Sequence, residues 1–484
     1  MCAVLTSFAV ESPLTGLGAG GFMLVHAEGR DVLLDFFVEV PGRGGRKRGS
    51  ELVPLSVVFD ETPQVFNIGA ASCGVPGTPA GLAEALRRFG SMPMRELIGP
   101  AVSHARDGVE ISAGQAYLLK ILDPILTEFP ESRALYAPQG RILREGERFV
   151  FGDLADALER YADEGPDPFY RGDIAEAVAG WVTDRGGTLG AADLAAYEPI
   201  AREPVRAGFR GREVLTNPPP SSGGILIALC LALLERLREA GIEQVVATMA
   251  EANRARTEQF HAGLYEEGYV ERFLAADRLD TLAERIESGA GAGDHRGAAG
   301  LGSTTHITAV DSEGRCASVT CSNGTGSGML VPGTGVHVNN MLGEEDLNPL
   351  GFHAFSPGRR MTSMMAPTVV LRGGELEAGL GSGGSNRIRS AVLQVILRLV
   401  ADGMDAQSAV DAGRVHFEEG VVQAEPGVDA AALARIERSP DRSVARWRRR
   451  NLFFGGVHAV ARDPETGELR GAGDPRRGGA VVVL

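Results

Sequence analysis

A chain of 484 residues, 44% of them hydrophobic, can bury an ample core in one large domain or in several ordinary ones. Its formal charge of −15 and isoelectric point near 5.2 argue against nucleic acid or an anionic membrane surface as partner, because the average surface repels both. Its five cysteines lack the close pairing of a disulfide framework or a zinc site, and the longest apolar run, Ile225 to Leu234, is too short to span a bilayer.

In chain order, the glycine-rich run Gly16–Gly21 leads into an apolar strand, Phe22–His26, a turn, and a second strand, Asp31–Phe37. A phosphate-cradling loop needs a helix after it, and here a strand follows. Helical patterns cover Ala80–Arg88, Arg95–Arg106, Asp153–Ala162, Ile174–Thr183 and Ala192–Tyr197. The block Asn217-Pro218-Pro219-Pro220-Ser221-Ser222-Gly223-Gly224 reads as a rigid turn opening the apolar helix Ile225–Leu237. From Ser288 to Ser303 the composition collapses to Gly, Ala and Ser, which predicts a mobile linker.

Beyond the linker the pattern becomes β. One hairpin is expected at Thr305–Val310 with Arg315–Cys321, another at Thr368–Leu371 with Leu376–Leu380. A helix is expected over Arg387–Ala401, and a last hairpin joining Val457–Arg462 to Ala480–Leu484. The chain thus divides into a helix-rich region, 1–303, and a strand-rich region, 304–484, expected to intertwine in one structural domain.

Thr304 is the most informative residue, for it sets a hydroxyl at the head of a strand directly after the linker. If the chain is cut before it, its own α-amine, with a reference pKa of about 7.7–8.0, is available as the base that takes the hydroxyl proton. His306 falls on the same strand face, yet the amine makes a second base unnecessary, so its expected role is structural. The nine histidines are scattered without metal-site spacing, and no metal or cofactor is expected.

Several separated blocks together resemble the γ-glutamyltranspeptidase family of N-terminal-nucleophile hydrolases. They are Gly16–Leu24, Gly74-Val75-Pro76-Gly77, Pro218–Gly224, Thr304-Thr305-His306, Gly326-Ser327-Gly328 through Gly335, Asn339-Asn340 and Gly381-Ser382-Gly383-Gly384-Ser385, in the family's order along nearly the whole chain. The resemblance implies an α+β fold, a four-layer αββα sandwich. It also implies a precursor that cuts itself between Ser303 and Thr304 into large and small subunits, with Thr304 then carrying the acyl group of an amide or γ-glutamyl substrate, such as a glutathione-like one, to water or an amine acceptor. Ser322 matches a hydroxyl that orients the nucleophile, and Gly384 and Ser385 match the residues whose N–H groups form an oxyanion hole. Asn323 and Glu344 are assigned to substrate binding on the same ground.

The substrate end departs from the family's pattern. No arginine follows Asp35-Phe36, so the usual carboxylate clamp is missing, and Arg43 and Arg46 belong to what reads as a solvated loop. Glu344 stands where an aspartate is expected, and the paired serines appear as Ser363-Met364. A more apolar acyl pocket follows, with weaker demand for a free α-carboxylate. Two alternatives remain, an acylase of non-glutamyl amides and an inactive scaffold. Only Cys2–Val10 stands where the family has a longer helix before the Gly16 loop, and no secretory signal is visible, so localisation stays open.

Overall fold

Two antiparallel sheets, each built from strands of both regions, form the centre of this computed structural model, which describes residues 1–45, 49–59, 62–288, 304–463 and 465–484. Their strands are β1 (Gly20–Ala27), β2 (Arg30–Phe36), β3 (Ile200–Arg202), β4 (Val205–Phe209), β5 (Arg212–Thr216), β6 (Thr305–Val310), β7 (Cys316–Ser322), β8 (Thr368–Arg372), β9 (Glu375–Gly383), β10 (Gly456–Arg462) and β11 (Leu469–Ala472). The first sheet runs β6-β7-β1-β2-β3 and the second β11-β10-β9-β8-β5-β4. β1 lies inside the first sheet and is buried at every position up to His26, so its sequence is a continuous apolar run with no polar alternation.

Helices close both outer faces. α1 (Cys2–Val10), α2 (Thr78–Phe89), α3 (Met94–Asp107) and α4 (Ala113–Leu126) belong to the core beneath the first sheet, where Val4, Leu5, Phe8, Leu82 and Ile98 pack with Leu34 and Phe36. α5 (Gly223–Arg236) and α6 (Arg387–Val400) cover the second sheet, with Ile225, Leu229 and Val392 against Val369 and Leu380. α5 is apolar all round because helices Ile242–Arg254 and Ala276–Glu287 cover the sides that the sheet leaves open. The result is the expected αββα order. Among the described residues no helix is long and apolar enough to cross a membrane.

Most sequence-predicted elements fall where expected, and the short start does form a helix, α1, packed on α3. The last hairpin does not. β10 pairs with β11, and residues 480–484 are exposed and form no strand. The Asp463 carboxylate accepts the N–H groups of Glu465 (2.8 Å) and Thr466 (2.9 Å), closing a tight turn that brings β11 alongside. Closing that short loop costs less chain entropy than reaching the distant tail. The linker predicted over Ser288–Ser303 lies, beyond Ser288, outside the described residues.

The two sheets meet unusually closely where β6 crosses β9. One face of β9 is the alternating set Gly379, Gly381 and Gly383, and the side chains of β6 press onto it. A Cβ on Gly379 would lie 2.9 Å from Thr308, on Gly381 2.2 Å from the His306 ring, and on Gly383 2.3 Å from the Thr304 carbonyl oxygen. Gly381→Ala is therefore expected to destabilise the protein by about 1–3 kcal/mol through overpacking, seen as a lower Tm. Adding His306→Ala should recover part of that loss; a double variant no more stable than Gly381→Ala alone would contradict the contact.

Candidate active site

Strand pairing sets the position of Thr304. Thr305 is opposite Cys321, which places Thr304 beside the end of β7, and the Thr304 hydroxyl donates to Ser322 Oγ at 3.3 Å across 18 residues of sequence. Ser322 Oγ also accepts the Gly324 N–H at 2.9 Å, which fixes its direction. Thr305 donates its hydroxyl to Glu11, tying the head of β6 to the end of α1. His306 spends both ring nitrogens on Thr320 (2.8 Å) and Thr308 (2.9 Å). Burial holds its pKa well below the ordinary value, so it is a neutral structural imidazole.

The loop after β9 faces Thr304. Gly384 has φ +125° and Ser385 φ +51°, the left-handed region that disfavours a side chain. The Ser385 hydroxyl donates to Asp346, an anchor that offsets this backbone cost. Among the described residues, neither the Gly384 nor the Ser385 N–H has a hydrogen-bond partner, which leaves both to a ligand oxygen.

A cavity of about 30 Å³ lies between these groups, with Thr304, Ser322, Glu344, Asp346, Ser363 and Ser385 as its polar lining. Phe37, Met341, Met364, Met365 and Ile388 supply apolar walls. Its floor is rigidly set. The Ser363 carbonyl accepts from Ser222 N–H (2.8 Å), Gly223 N–H (3.1 Å) and the Ser221 hydroxyl (2.8 Å), so the proline block's corner holds the loop that bears Ser363 and Met364. Arg360, at the start of the same loop, is buried against Glu39 (3.3 Å) and Asp35 (3.7 Å) and donates to Tyr197.

Glu344 is buried and accepts from Thr325 N–H (3.2 Å) and the Thr325 hydroxyl (3.4 Å). Burial first, and then repulsion from Asp346, pushes its pKa well above the carboxylate range; Asp346 is raised by burial as well. The pair therefore holds protons that an exposed pair would release.

Of the residues expected from the sequence, Thr304, Ser322, Glu344, Ser363, Met364 and Ser385 meet at this cavity, with Gly384 adjoining. Asn323 does not line it. That side chain is buried with neither amide atom partnered among the described residues, 3.7 Å from where Gly16 would carry a Cβ, while its neighbour Gly324 reaches the lining. Arg43 is exposed and paired with Glu39 at 3.0 Å; Arg46 and Ser303 lie outside the described residues. Asp35 binds Arg202 (2.8 Å) and the Phe37 N–H (3.0 Å). Sequence patterning gave no sign of Glu11, Arg360 or Asp346, because each acts through partners distant in the chain. Among the described residues no cluster of His, Cys, Asp and Glu suits a metal ion.

The family described as Gamma-glutamyltranspeptidase matches residues 2–484 of the chain. The acylase ACY 1 proenzyme of Pseudomonas sp. (strain SE83) is 32% identical, over 100% of this chain and 88% of that protein. The glutathione hydrolase proenzyme of Escherichia coli (strain K12) is 30% identical, over 98% and 85% respectively. Among solved structures, cephalosporin acylase from Bacillus halodurans shares the fold with a TM-score of 0.83 at 23% identity, covering 99% of this chain and 90% of its own.

The raised carboxyl of Glu344 has a stability consequence with a definite sign. The folded state keeps this proton above the pH at which the unfolded chain, at about 4.3, releases it, so stability declines as pH rises from that value through neutrality. Glu344→Gln keeps the acceptor oxygen and removes the titration. It should raise Tm at pH 7–8 more than at pH 4; equal shifts at both, by thermal denaturation, would rule out a buried proton there.

Proposed function

Because the chain belongs to the gamma-glutamyltranspeptidase family, whose members are hydrolases and acyl transferases of the N-terminal-nucleophile type, we propose that it severs its own 303–304 bond and then uses Thr304 to open amides of γ-glutamyl or closely related acyl groups. The supporting observation is the placement of the Thr304 hydroxyl, hydrogen-bonded to Ser322 and facing two unengaged N–H groups.

In the first reaction, Thr304 Oγ attacks the Ser303 carbonyl carbon, the C–N bond breaks, and the hydroxyl proton ends on the departing α-nitrogen. Water then opens the ester, leaving a carboxylate on Ser303 and a free α-amine beside the restored hydroxyl. In the second, that amine takes the hydroxyl proton as Oγ attacks the substrate carbonyl and delivers it to the leaving nitrogen. Developing negative charge on the carbonyl oxygen is met by the N–H groups of Gly384 and Ser385. Water or an acceptor amine removes the acyl group from Thr304.

The acyl pocket sets the preference. Phe37 and Met364 line it, and the carboxylates and arginines around Asp35 are committed to one another, so among the described residues no cation in this lining clamps an α-carboxylate. Flexible Met341, Met364 and Met365 allow the small cavity to reshape around a chain of methylenes. This apolar lining favours, as a second reading, acylase activity on non-glutamyl amides, the activity for which the Pseudomonas relative is named.

Purified protein should give two fragments on denaturing electrophoresis, the smaller beginning at Thr304, whereas Thr304→Ala should remain a single chain of 50.9 kDa. Ser322→Ala should slow the cut by about tenfold, the loss of one hydrogen bond to the nucleophile. On 4-nitroanilides, turnover of the 4-aminobutanoyl group, which lacks the α-carboxylate, is expected within about tenfold of γ-glutamyl turnover, because the missing clamp contributes no charge-assisted hydrogen bond to that carboxylate. A γ-glutamyl preference of more than about a hundredfold would overturn the altered pocket.

A further inference from the structure

Thr304 separates two cavities. Opposite the acyl pocket lies a second, of about 850 Å³, walled by the end of α1, the start of α4, residues 449–452 and residues 475–478. Thr304 is the single described residue that lines both. A scissile amide held at its hydroxyl extends in two directions from the carbonyl. With the acyl group in the small cavity, as the reading above requires, the amine side projects into the large one.

The charge of this large cavity runs against that of the chain. In a protein of net charge −15, Arg449, Arg450, Arg476 and Arg477 line it with Glu11 as its sole carboxylate among the described residues. Three of the arginines are engaged. Arg476 bonds Glu425 (2.8 Å) and Asp474 (3.2 Å), Arg450 lies 3.7 Å from Asp411, and Arg449 has a partner of its own. Arg477 differs. Its side chain makes no hydrogen bond or ion pair among the described residues, and its Nε is buried without a partner. The guanidinium lies against the loop that faces the nucleophile: a Cβ on Gly383 would sit 3.1 Å from Nη1, and on Gly384 3.4 Å from Nη2. Glu11 and Asp474 both attract it, yet the Glu11 carboxyl is spent on Thr305 with burial raising its pKa, and Asp474 is bonded to Arg414 (2.7 Å) and Arg476 (3.2 Å).

A partly desolvated cation with no carboxylate bonded to it is costly, and a planar guanidinium is built for two parallel bonds to a carboxylate. We propose that the large cavity receives the amine portion of the substrate or acceptor, and that Arg477 binds a carboxylate carried by that amine. The ligand class is an amine bearing a carboxylate, as in an amino acid, a peptide or an aminobenzoate. Arg477 is thus a specificity residue for the leaving or entering amine.

Two measurements test this. In calorimetric titration of the self-cleaved protein, 4-aminobenzoate should bind at least about tenfold more tightly than aniline. Arg477→Gln should erase the difference, and Arg477→Lys should keep part of it. In turnover, kcat/KM for the γ-glutamyl 4-carboxyanilide relative to the plain anilide should fall by about tenfold in Arg477→Gln, mostly through KM. Equal binding of the two amines by wild type would overturn the proposal, as would an equal loss on both anilides. Discrimination in binding without turnover of either anilide would leave this assignment standing and sink the acyl-group reading instead.

Discussion

The contact of β6 with the glycine face of β9 is the constraint on which the site depends. Three glycines at alternate positions leave room for Thr308, His306 and the Thr304 backbone, and no other residue fits at those distances. Sheets packed through ordinary side chains stand about 10 Å apart, too far for a strand end on one to serve as backbone wall for a nucleophile on the other. Here the close approach sets Thr304 against Gly383, and therefore against the Gly384–Ser385 turn that continues from it. The same face neutralises His306, whose hydrogen bonds to Thr320 and Thr308 turn a potential base into packing.

Around that contact, polar groups divide into those satisfied within the fold and those left for a ligand. Asp35, Glu39, Arg202 and Arg360 form ion pairs with one another beside the small cavity. Their closed network removes charge from the lining while fixing the Ser363–Met364 loop, which the corner at Ser221–Gly223 holds from the other side. Glu344 and Asp346 remain in the lining, with repulsion and burial holding their protons. The N–H groups of Gly384 and Ser385 and the guanidinium of Arg477 have nothing bound to them among the described residues, and they lie on either side of Thr304. Under the proposed function such a site is preorganised, since its donors need no rearrangement to meet charge when it develops.

Much of this was legible in the sequence. The position of Thr304 after a glycine-rich run, the strand that begins at Thr305, and the ordered glycine and asparagine blocks single out Thr304 and carry the family resemblance. The structure shows why those blocks travel together: the Asn339 side chain binds Gly18 and Gly74 at once, joining three segments far apart in the chain. Neighbours in sequence need not share a site. Asn323 follows Ser322 but does not line the cavity that Gly324 reaches, and residues 480–484 carry a strand-like composition while a local aspartate turn selects another partner for β10.

The sequence by itself determined the local pattern: which hydroxyl heads a strand after the glycine-rich run, which segments are strands and helices, and that no arginine follows Asp35-Phe36, because each is encoded in neighbouring residues and in backbone preference. Only the tertiary structure decided which charges remain free. Arg360 and Arg477 are identical side chains in one sequence, and one is surrounded by carboxylates while the other faces an open cavity. That distinction depends on which distant partners folding brings within a few ångströms, since ion pairing and desolvation act through space and not along the chain.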